Sequence, residues 1–526
     1  MNAESGKSDP TGHGLSITGG MPSIVKIEDE IDESLNLRIS PKYMEEHRFL
    51  PLRMKDGLLR VAFADPQDLY TIDDLRSLLH LEIEPVAGSP DEILEAIRKY
   101  YGEGVDTIEK MVKDMSEEEL TLVEGRGNGI QDLRDLASQA PVIKLVNLII
   151  MEALKKRASD IHLEAMEDQL RVRYRIDGIL QDVSSPAKRF QAAIISRIKI
   201  IAELNIAERR LAQDGRFRMK IKDKDIDFRV SIVPTLHGES VVIRILDKSS
   251  ILMSLEELGF SSEMFRAVNR LITRPHGIIL VTGPTGSGKT TTLYAVLEKI
   301  NSPEKKIITL EDPVEYHLPG TNQIPIKPKI GFTFATGLRS IIRQDPDIIM
   351  IGEMRDLETA EIAIHSSLTG HLVFSTIHTN DAPGGLTRMI DMGVEAYLVS
   401  SAVEGILAQR LIRRICPACK EEVQPDLRML EELGLTIDSH GSPSLYRGHG
   451  CNECNYTGYR GRVGIFELLI MNDELQHLIL ENTPLSDLKD AAVKGGMTTL
   501  RHDGWEKTRS GETTLEEILR VTQEEE

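Results

Sequence analysis

The sequence predicts a multidomain α/β protein whose largest domain is a parallel sheet covered by helices. Three observations carry this. The chain has 526 residues, more than one hydrophobic core organises, so several domains are expected. Its C-terminal half alternates short apolar runs with helical segments, the pattern of strands joined by crossover helices. One such run, "GIILVTGPTGSGKTTTLYAVLEKI", is an apolar strand that ends in a glycine-rich loop and opens a helix.

In chain order, residues 1–37 are polar and read as a disordered tail. Residues 38–101 read as a small α/β domain: "LLRVAFADP" is a strand and turn, "DDLRSLLH" a helix, "LEIEPVAG" a strand, and "PDEILEAIRKYYG" a helix with Pro90 in its first turn. Residues 102–137 are acid-rich and read as a linker. Residues 138–250 form the next domain. Its first helix repeats Val142, Leu145, Val146, Ile149 and Ile150 at helical spacing. "DQLRVRYRID" then alternates strictly, with Leu170, Val172, Tyr174 and Ile176 on one face and Arg171, Arg173 and Arg175 on a cationic other. A helix, "RFQAAIISRIKIIAEL", and the strands "DIDFRVSIVP" and "SVVIRIL" follow. Residues 251–526 hold the phosphate-binding sheet and, within it, a cysteine-bearing subdomain at 416–454.

Composition excludes several classes of function. No apolar run approaches the roughly 18–20 residues that span a bilayer, and the first residues are polar, so a cytosolic protein is expected. A net charge of −20 opposes general binding to nucleic acid. The balance is uneven, because the stretch from Lys188 to Arg229 has twelve Lys or Arg against six Asp or Glu.

The most specific signal is "GPTGSGKT", which matches G-x-x-x-x-G-K-[ST] in a strand–loop–helix setting. Gly283, Pro284, Thr285, Gly286, Ser287 and Gly288 form this loop, whose glycines would let backbone N–H groups converge on the β- and γ-phosphates of ATP at a helix N-terminus. Lys289 adds a point charge, and Thr290, followed by Thr291, offers a hydroxyl to Mg²⁺. Downstream, "DPDIIMIGEMRD" is an apolar strand delivering Glu353 at its end, where a carboxylate polarises an attacking water. "IITLEDPVEY" places Glu311, Asp312 and Glu315 on the same sheet edge, as partners for Mg²⁺ or water or as helix caps. "GHLVFSTIHTND" brings His378 there as well, within reach of a γ-phosphate.

All four cysteines lie in two Cys-x-x-Cys pairs separated by 31 residues, Cys416 with Cys419 and Cys451 with Cys454. Two disulfides, a redox dithiol and a four-sulfur metal site are the alternatives. A reducing compartment disfavours the first, and a thioredoxin-like role needs only one pair. Four thiolates suit a structural Zn²⁺. The separation exceeds the roughly 15–20 residues of common zinc ribbons, so a helical insertion, "PDLRMLEELG", is expected to fill it.

Taken in order, "GPTGSGKT", "ITLEDPVEY", "DIIMIGEMRD" and "STIHTND" closely resemble the motifs of the bacterial type II secretion and type IV pilus ATPases. "ASDIHLE", "RYRIDG", "AERRLAQDGR" and "DFRVS" extend the resemblance backward, so that it covers about 138–522 and, more weakly, 38–101. It implies a RecA-like, additional-strand P-loop domain preceded by a PAS-like lobe, assembled as a homohexamer. It also implies that arginines of the smaller lobe reach the nucleotide, which makes Arg210, Arg216 and Arg229 candidates. The family usually has Pro where Ala212 stands. Members of the secretion and pilus-extension branches carry a tetracysteine subdomain, in line with zinc here. The implied function is ATP hydrolysis that powers pseudopilus assembly and protein export, with type IV pilus assembly as the alternative. The implied place is the cytoplasmic face of the inner membrane, where residues 38–101 dock on a bitopic membrane protein beside a secretion platform. A nucleic-acid motor and a non-catalytic scaffold are the competing classes. The acidic balance and a single Trp oppose the first, and Lys289 with Glu353 opposes the second.

Overall fold

The computed structural model describes residues 31–32, 39, 41–97, 140–247, 253–424 and 444–522, apart from 56–57, 67, 80, 184 and 222–223. The expected linker, the insertion "PDLRMLEELG" and nearly all of the expected tail lie outside the described residues. Two compact units result, Met1–Asp114 and Met115–Glu526.

The first unit contains the sheet β1 (Phe49–Lys55), β2 (Leu58–Phe63) and β3 (Glu82–Ala87), in that order, with β1 antiparallel and β3 parallel to β2. Helices Leu69–Leu79 and Pro90–Ala96 supply Ile72, Leu75 and Ile93 to a core shared with Phe49, Val61, Phe63 and Val86. β1 is not among the expected strands. Pro51 cannot donate to a ladder, and the register shifts between Pro51 and Arg53, which is how an edge strand tolerates a proline.

The second unit begins with a six-stranded antiparallel sheet, β4 (Asp160–Ala165), β5 (Leu170–Ile176), β6 (Ile179–Val183), β7 (Gln213–Ile221), β8 (Lys224–Thr235) and β9 (Gly238–Asp247), in the order β6-β5-β4-β9-β8-β7. Helices Ala140–Lys155 and Gln191–Ile201 pack with it. Tyr174, fully buried on β5, donates its hydroxyl to the carbonyl of Ile149 at 2.9 Å and so ties strand to helix. Burial alternates along β5 as expected. The cationic outer face is neutralised, however. Arg171 meets Asp182 at 2.6 Å, Arg173 pairs with Glu164, and Arg175 lies 3.8 Å from Asp160.

The rest of the unit is built on β10 (Gly277–Thr282), β11 (Ile307–Glu311), β12 (Thr321–Pro325), β13 (Ile348–Ile351), β14 (Leu372–Ile377) and β15 (Val403–Ile415), all parallel, with a later strand, β18 (Tyr459–Ile470), antiparallel on the edge. The order is β12-β11-β13-β14-β10-β15-β18, so β14 stands between β10 and β13. β10 is buried throughout. Its residues alternate between two cores, Ile278 and Leu280 in one and Ile279 and Val281 in the other. Helix Lys289–Ile300 fills the second core with Leu293 and Val296, and helix Leu357–Leu368 fills the first with Ala363 and Ile364. Each such side chain contributes about 1.5–3 kcal/mol by leaving water, so a charge within this run would break the strand. Between β15 and β18 a two-stranded antiparallel ribbon, β16 (Lys420–Val423) and β17 (Leu445–Gly448), carries the cysteines at its base. Among the described residues no helix is long and apolar enough to cross a membrane.

Candidate active site

The glycine-rich loop leaves the end of β10 and is held from both sides. Gly283, Gly286 and Gly288 have φ of 147°, 81° and 91°. A Cβ on Gly283 would lie 2.5 Å from the carbonyl oxygen of Gln409 and 2.6 Å from Ser287 Oγ, so the backbone there has no room for a side chain. Gln409, on the neighbouring β15, donates to the Ser287 carbonyl at 2.5 Å and accepts from Thr292 at 2.7 Å. Thr282 bonds Thr379 at 2.7 Å and so joins the loop to the end of β14. Lys289 Nζ donates to the carbonyls of Gly283 and Pro284 at 2.7 and 3.1 Å. Ser287 Oγ is buried without a hydrogen-bond partner. Thr290 and Thr291 stand exposed at the first turn of helix Lys289–Ile300, and the whole run from Thr285 to Thr291 borders a cavity of about 570 Å³. This donor-lined, cation-bearing cradle fits a polyphosphate, and the Thr290 hydroxyl fits a magnesium ligand.

Glu353 and His378 face the same cavity from the ends of β13 and β14. Glu353 lies 2.7 Å from Arg355 and 3.8 Å from His378 Nε2. Burial lowers the Lys289 ammonium to about 8, with Arg410 acting in the same direction and Glu353 against it. Burial and the Lys289 charge lower His378 as well, which keeps the imidazole neutral at neutral pH. Glu353 is thus the carboxylate whose charge acts on both the lysine and the histidine.

Glu311 is also on the cavity wall, but its carboxylate is engaged. It is 4 % exposed and accepts from Tyr294, from Thr309 at 2.6 Å and from Gln323 at 3.1 Å. Glu311, expected beside Mg²⁺ or water or as a helix cap, is thus met by three side-chain donors at the end of β11. The three arginines separate. Arg229 makes a two-point contact with Glu315 at 3.0 and 3.2 Å. Arg216 borders an adjoining cavity of about 790 Å³ together with Arg229 and Glu315. Arg210 is not brought to the site by its own chain; it pairs with Glu208 at 3.0 Å on a loop where its side chain is 87 % exposed. Three arginines that the sequence reading did not single out do border the nucleotide cavity, Arg244 of β9, Arg355 after β13 and Arg462 of β18. Arg244 interrupts the apolar run "VVIRIL" with a cation, which was its only signal.

The cysteines meet as a cluster. The four sulfurs lie within 4.8 Å of one another, with Sγ–Sγ distances of 3.8 Å for Cys416–Cys451, 3.8 Å for Cys419–Cys454 and 3.7 Å for Cys451–Cys454. Disulfides would require about 2.05 Å. A tetrahedron with Zn–S bonds of about 2.3 Å has edges of about 3.8 Å, so the cluster fits a closed zinc site. The Cys451 amide donates to Cys454 Sγ at 3.2 Å, as a thiolate ligand invites. Burial pushes the Cys419 and Cys451 thiols up, so a bound dication would displace their protons.

A strand inserted between the phosphate-loop strand and the strand that ends in a carboxylate, with a lysine and neutral histidine beside that carboxylate, defines an additional-strand P-loop ATPase. The chain belongs to the Type II/IV secretion system protein family, whose profile matches residues 135–520, and the MshEN domain profile matches residues 20–107. It is an ATP hydrolase of that family. It is 48 % identical to the type II secretion system protein E of Xanthomonas campestris pv. campestris over 92 % of this chain and 85 % of that relative. It is 45 % identical to the type IV pilus assembly ATPase PilB of Myxococcus xanthus over 96 % of this chain and 89 % of that one. Among solved structures, the ATPase DotB of Legionella pneumophila shares the fold, with a TM-score of 0.55, 18 % identity and coverage of 72 % of this chain and 96 % of that one.

Proposed function

We propose that this protein is the motor ATPase of a type II secretion system, a homohexamer on the cytoplasmic face of the inner membrane that powers pseudopilus assembly and protein export. The observation that carries this reading is Glu353, set beside Lys289 and His378 in the phosphate-loop cavity of a chain so similar to the named secretion proteins. In this reading Gly283 to Thr291 cradle the phosphates of ATP and Lys289 neutralises the charge growing on them. Thr290 would hold Mg²⁺, which supplies charge neutralisation of the β- and γ-phosphates. Glu353 takes a proton from water as its oxygen attacks the γ-phosphorus. The bond from that phosphorus to the bridging oxygen breaks, and ADP leaves with the electron pair. Neutral His378 reports the γ-phosphate to β14. Arg229 and Arg244 approach from the smaller lobe, and Glu311 positions the turn bearing Asp312 and Glu315. Cys416, Cys419, Cys451 and Cys454 hold a structural zinc. Residues 38–101 dock on a membrane protein of the secretion platform. The test is Glu353→Gln: turnover should fall by roughly 10²–10⁴-fold while ATP still binds. Equal turnover in both proteins would remove Glu353 from the chemistry.

Assembly of a type IV pilus is the second reading, favoured by the Myxococcus relative, whose match extends over nearly the whole of both chains. Deletion of the gene decides between them, since loss of exported protein with pili intact supports the secretion role and the reverse supports the pilus role.

A further inference from the structure

Asp177 and Gly178 form the two-residue turn between β5 and β6, at the tip of a hairpin in the smaller lobe. Both are left-handed, with φ of 48° and 89°, and Arg175 closes the turn by donating to the Gly178 carbonyl at 3.0 Å. An Asp in such a turn ordinarily bonds its own backbone. Here Asp177 Oδ2 instead accepts from the backbone amide of Gly461 at 2.8 Å, across 284 residues of sequence. Gly461 is itself left-handed, at φ 81°, and lies in the strand that leaves the cysteine cluster. The next residue is Arg462, which borders the nucleotide cavity.

We propose that Asp177 is a positioning residue for ATP hydrolysis: by fixing the Gly461 amide it sets where Arg462 stands in the nucleotide cavity. The inference rests on the ATPase reading above. A charge-assisted hydrogen bond to a backbone amide holds position and direction together, and Gly461 between two extended residues would otherwise turn freely. Arg462 then follows the smaller lobe as well as its own strand. A change in the angle between lobe and sheet would reach the phosphates through one amide.

The test uses the full-length protein with Asp177→Ala, Asp177→Asn, Arg462→Ala and the double variant Asp177→Ala with Arg462→Ala. Asn keeps an acceptor oxygen and suits a left-handed turn, so it rescues if the hydrogen bond is what matters. Hydrogen exchange on the nucleotide-free protein should show the Gly461 amide protected in wild type and in Asp177→Asn, and fast in Asp177→Ala. Loss of one such bond predicts kcat/KM for Mg·ATP about tenfold lower in Asp177→Ala. Asp177→Asn should stay within about twofold of wild type, and the double variant should be no worse than Arg462→Ala alone. Three results would overturn the proposal: unchanged kcat/KM in Asp177→Ala, an Asn variant as impaired as Ala, or single effects that multiply in the double variant. An unfolded Asp177→Ala leaves Asp177→Asn and the exchange of Gly461 to decide. Wild-type turnover, measured alongside, tests the ATPase reading separately.

Discussion

Lys289 has to be charged to hold a phosphate, yet its surroundings work against the charge. Burial lowers its ammonium to about 8 and only Glu353 opposes that shift. Above pH 8 the unliganded protein therefore loses this proton, while the phosphate-bound form keeps it because the phosphates stabilise the cation. Binding must then take up a proton, and affinity falls as pH rises, by up to about tenfold per pH unit. Titration of ATP affinity between pH 7 and 9.5 should show this decline. Proton uptake should appear as a binding enthalpy that depends on the buffer. Lys289→Arg should not show the decline, since a guanidinium stays charged throughout that range. A flat profile in wild type would mean that the site leaves this lysine well solvated. Residues at this scale were the most legible in the sequence, because the loop glycines and Lys289 are marked by their spacing and Glu353 by the apolar strand before it. The surroundings of Glu311 were not legible, for a physical reason. A strand-end carboxylate looks the same in sequence whether or not Tyr294, Thr309 and Gln323 converge on it.

Among the elements, the ribbon β16–β17 is the least self-sufficient. Two short strands do not persist alone, and the buried cluster at their base consists of the cysteines themselves. The Cys416 amide donates to the Gly458 carbonyl at 2.9 Å and the His449 amide to Cys419 at 3.1 Å, so the knuckles are knitted by backbone, while Leu445 and Val423 join the ribbon to the main apolar core. In the proposed reading a bound zinc would add the rest of the folding free energy of this piece. One zinc per chain is expected by atomic emission. Cys454→Ser should lose it and open residues 416–424 and 444–458 to protease, while the fragment carrying β10–β14 stays resistant. Retention of the ribbon in metal-free protein would sink the zinc assignment. The cysteines announced this element, whereas other strands were hidden. β1 was masked by Pro51, and β12, "TNQIP", is a polar edge with no apolar alternation to find. β15, "VEGILAQRLIRRI", gains its strand character from β10 on one side and β18 on the other, neither of which its own residues encode.

At the scale of the molecule, part of the basic surplus between Lys188 and Arg229 is consumed within the chain. Lys199, 1 % exposed, pairs with Glu239 at 2.6 Å and donates to the Glu208 carbonyl at 2.6 Å, Arg218 meets Asp227 at 2.6 Å, and Arg229 meets Glu315. Arg210 pairs with Glu208 as well, but on an exposed loop. Its loop is stiffened by Lys199 and by Gln213, which donates to the Asn205 and Glu208 carbonyls at 3.1 and 2.9 Å, yet the guanidinium and Leu211 beside it point into solvent. In the ring proposed above, an exposed arginine and leucine on this loop would face the next subunit. If Arg210 completes a neighbour's site, inactive variants should rescue one another. Lys289→Ala has a defective cradle and an intact Arg210, whereas Arg210→Ala has the converse. Mixed rings would then contain sites with both parts intact, and activity should rise well above that of either variant alone, up to about a quarter of wild type for a one-to-one mixture whose sites act independently. That fraction follows because half the cradles are whole and half of their neighbours carry the arginine. Subunit exchange, followed by mass or by fluorescence transfer, has to be complete before turnover is read. No gain after complete exchange would place the action of Arg210 within its own chain or remove it from the reaction.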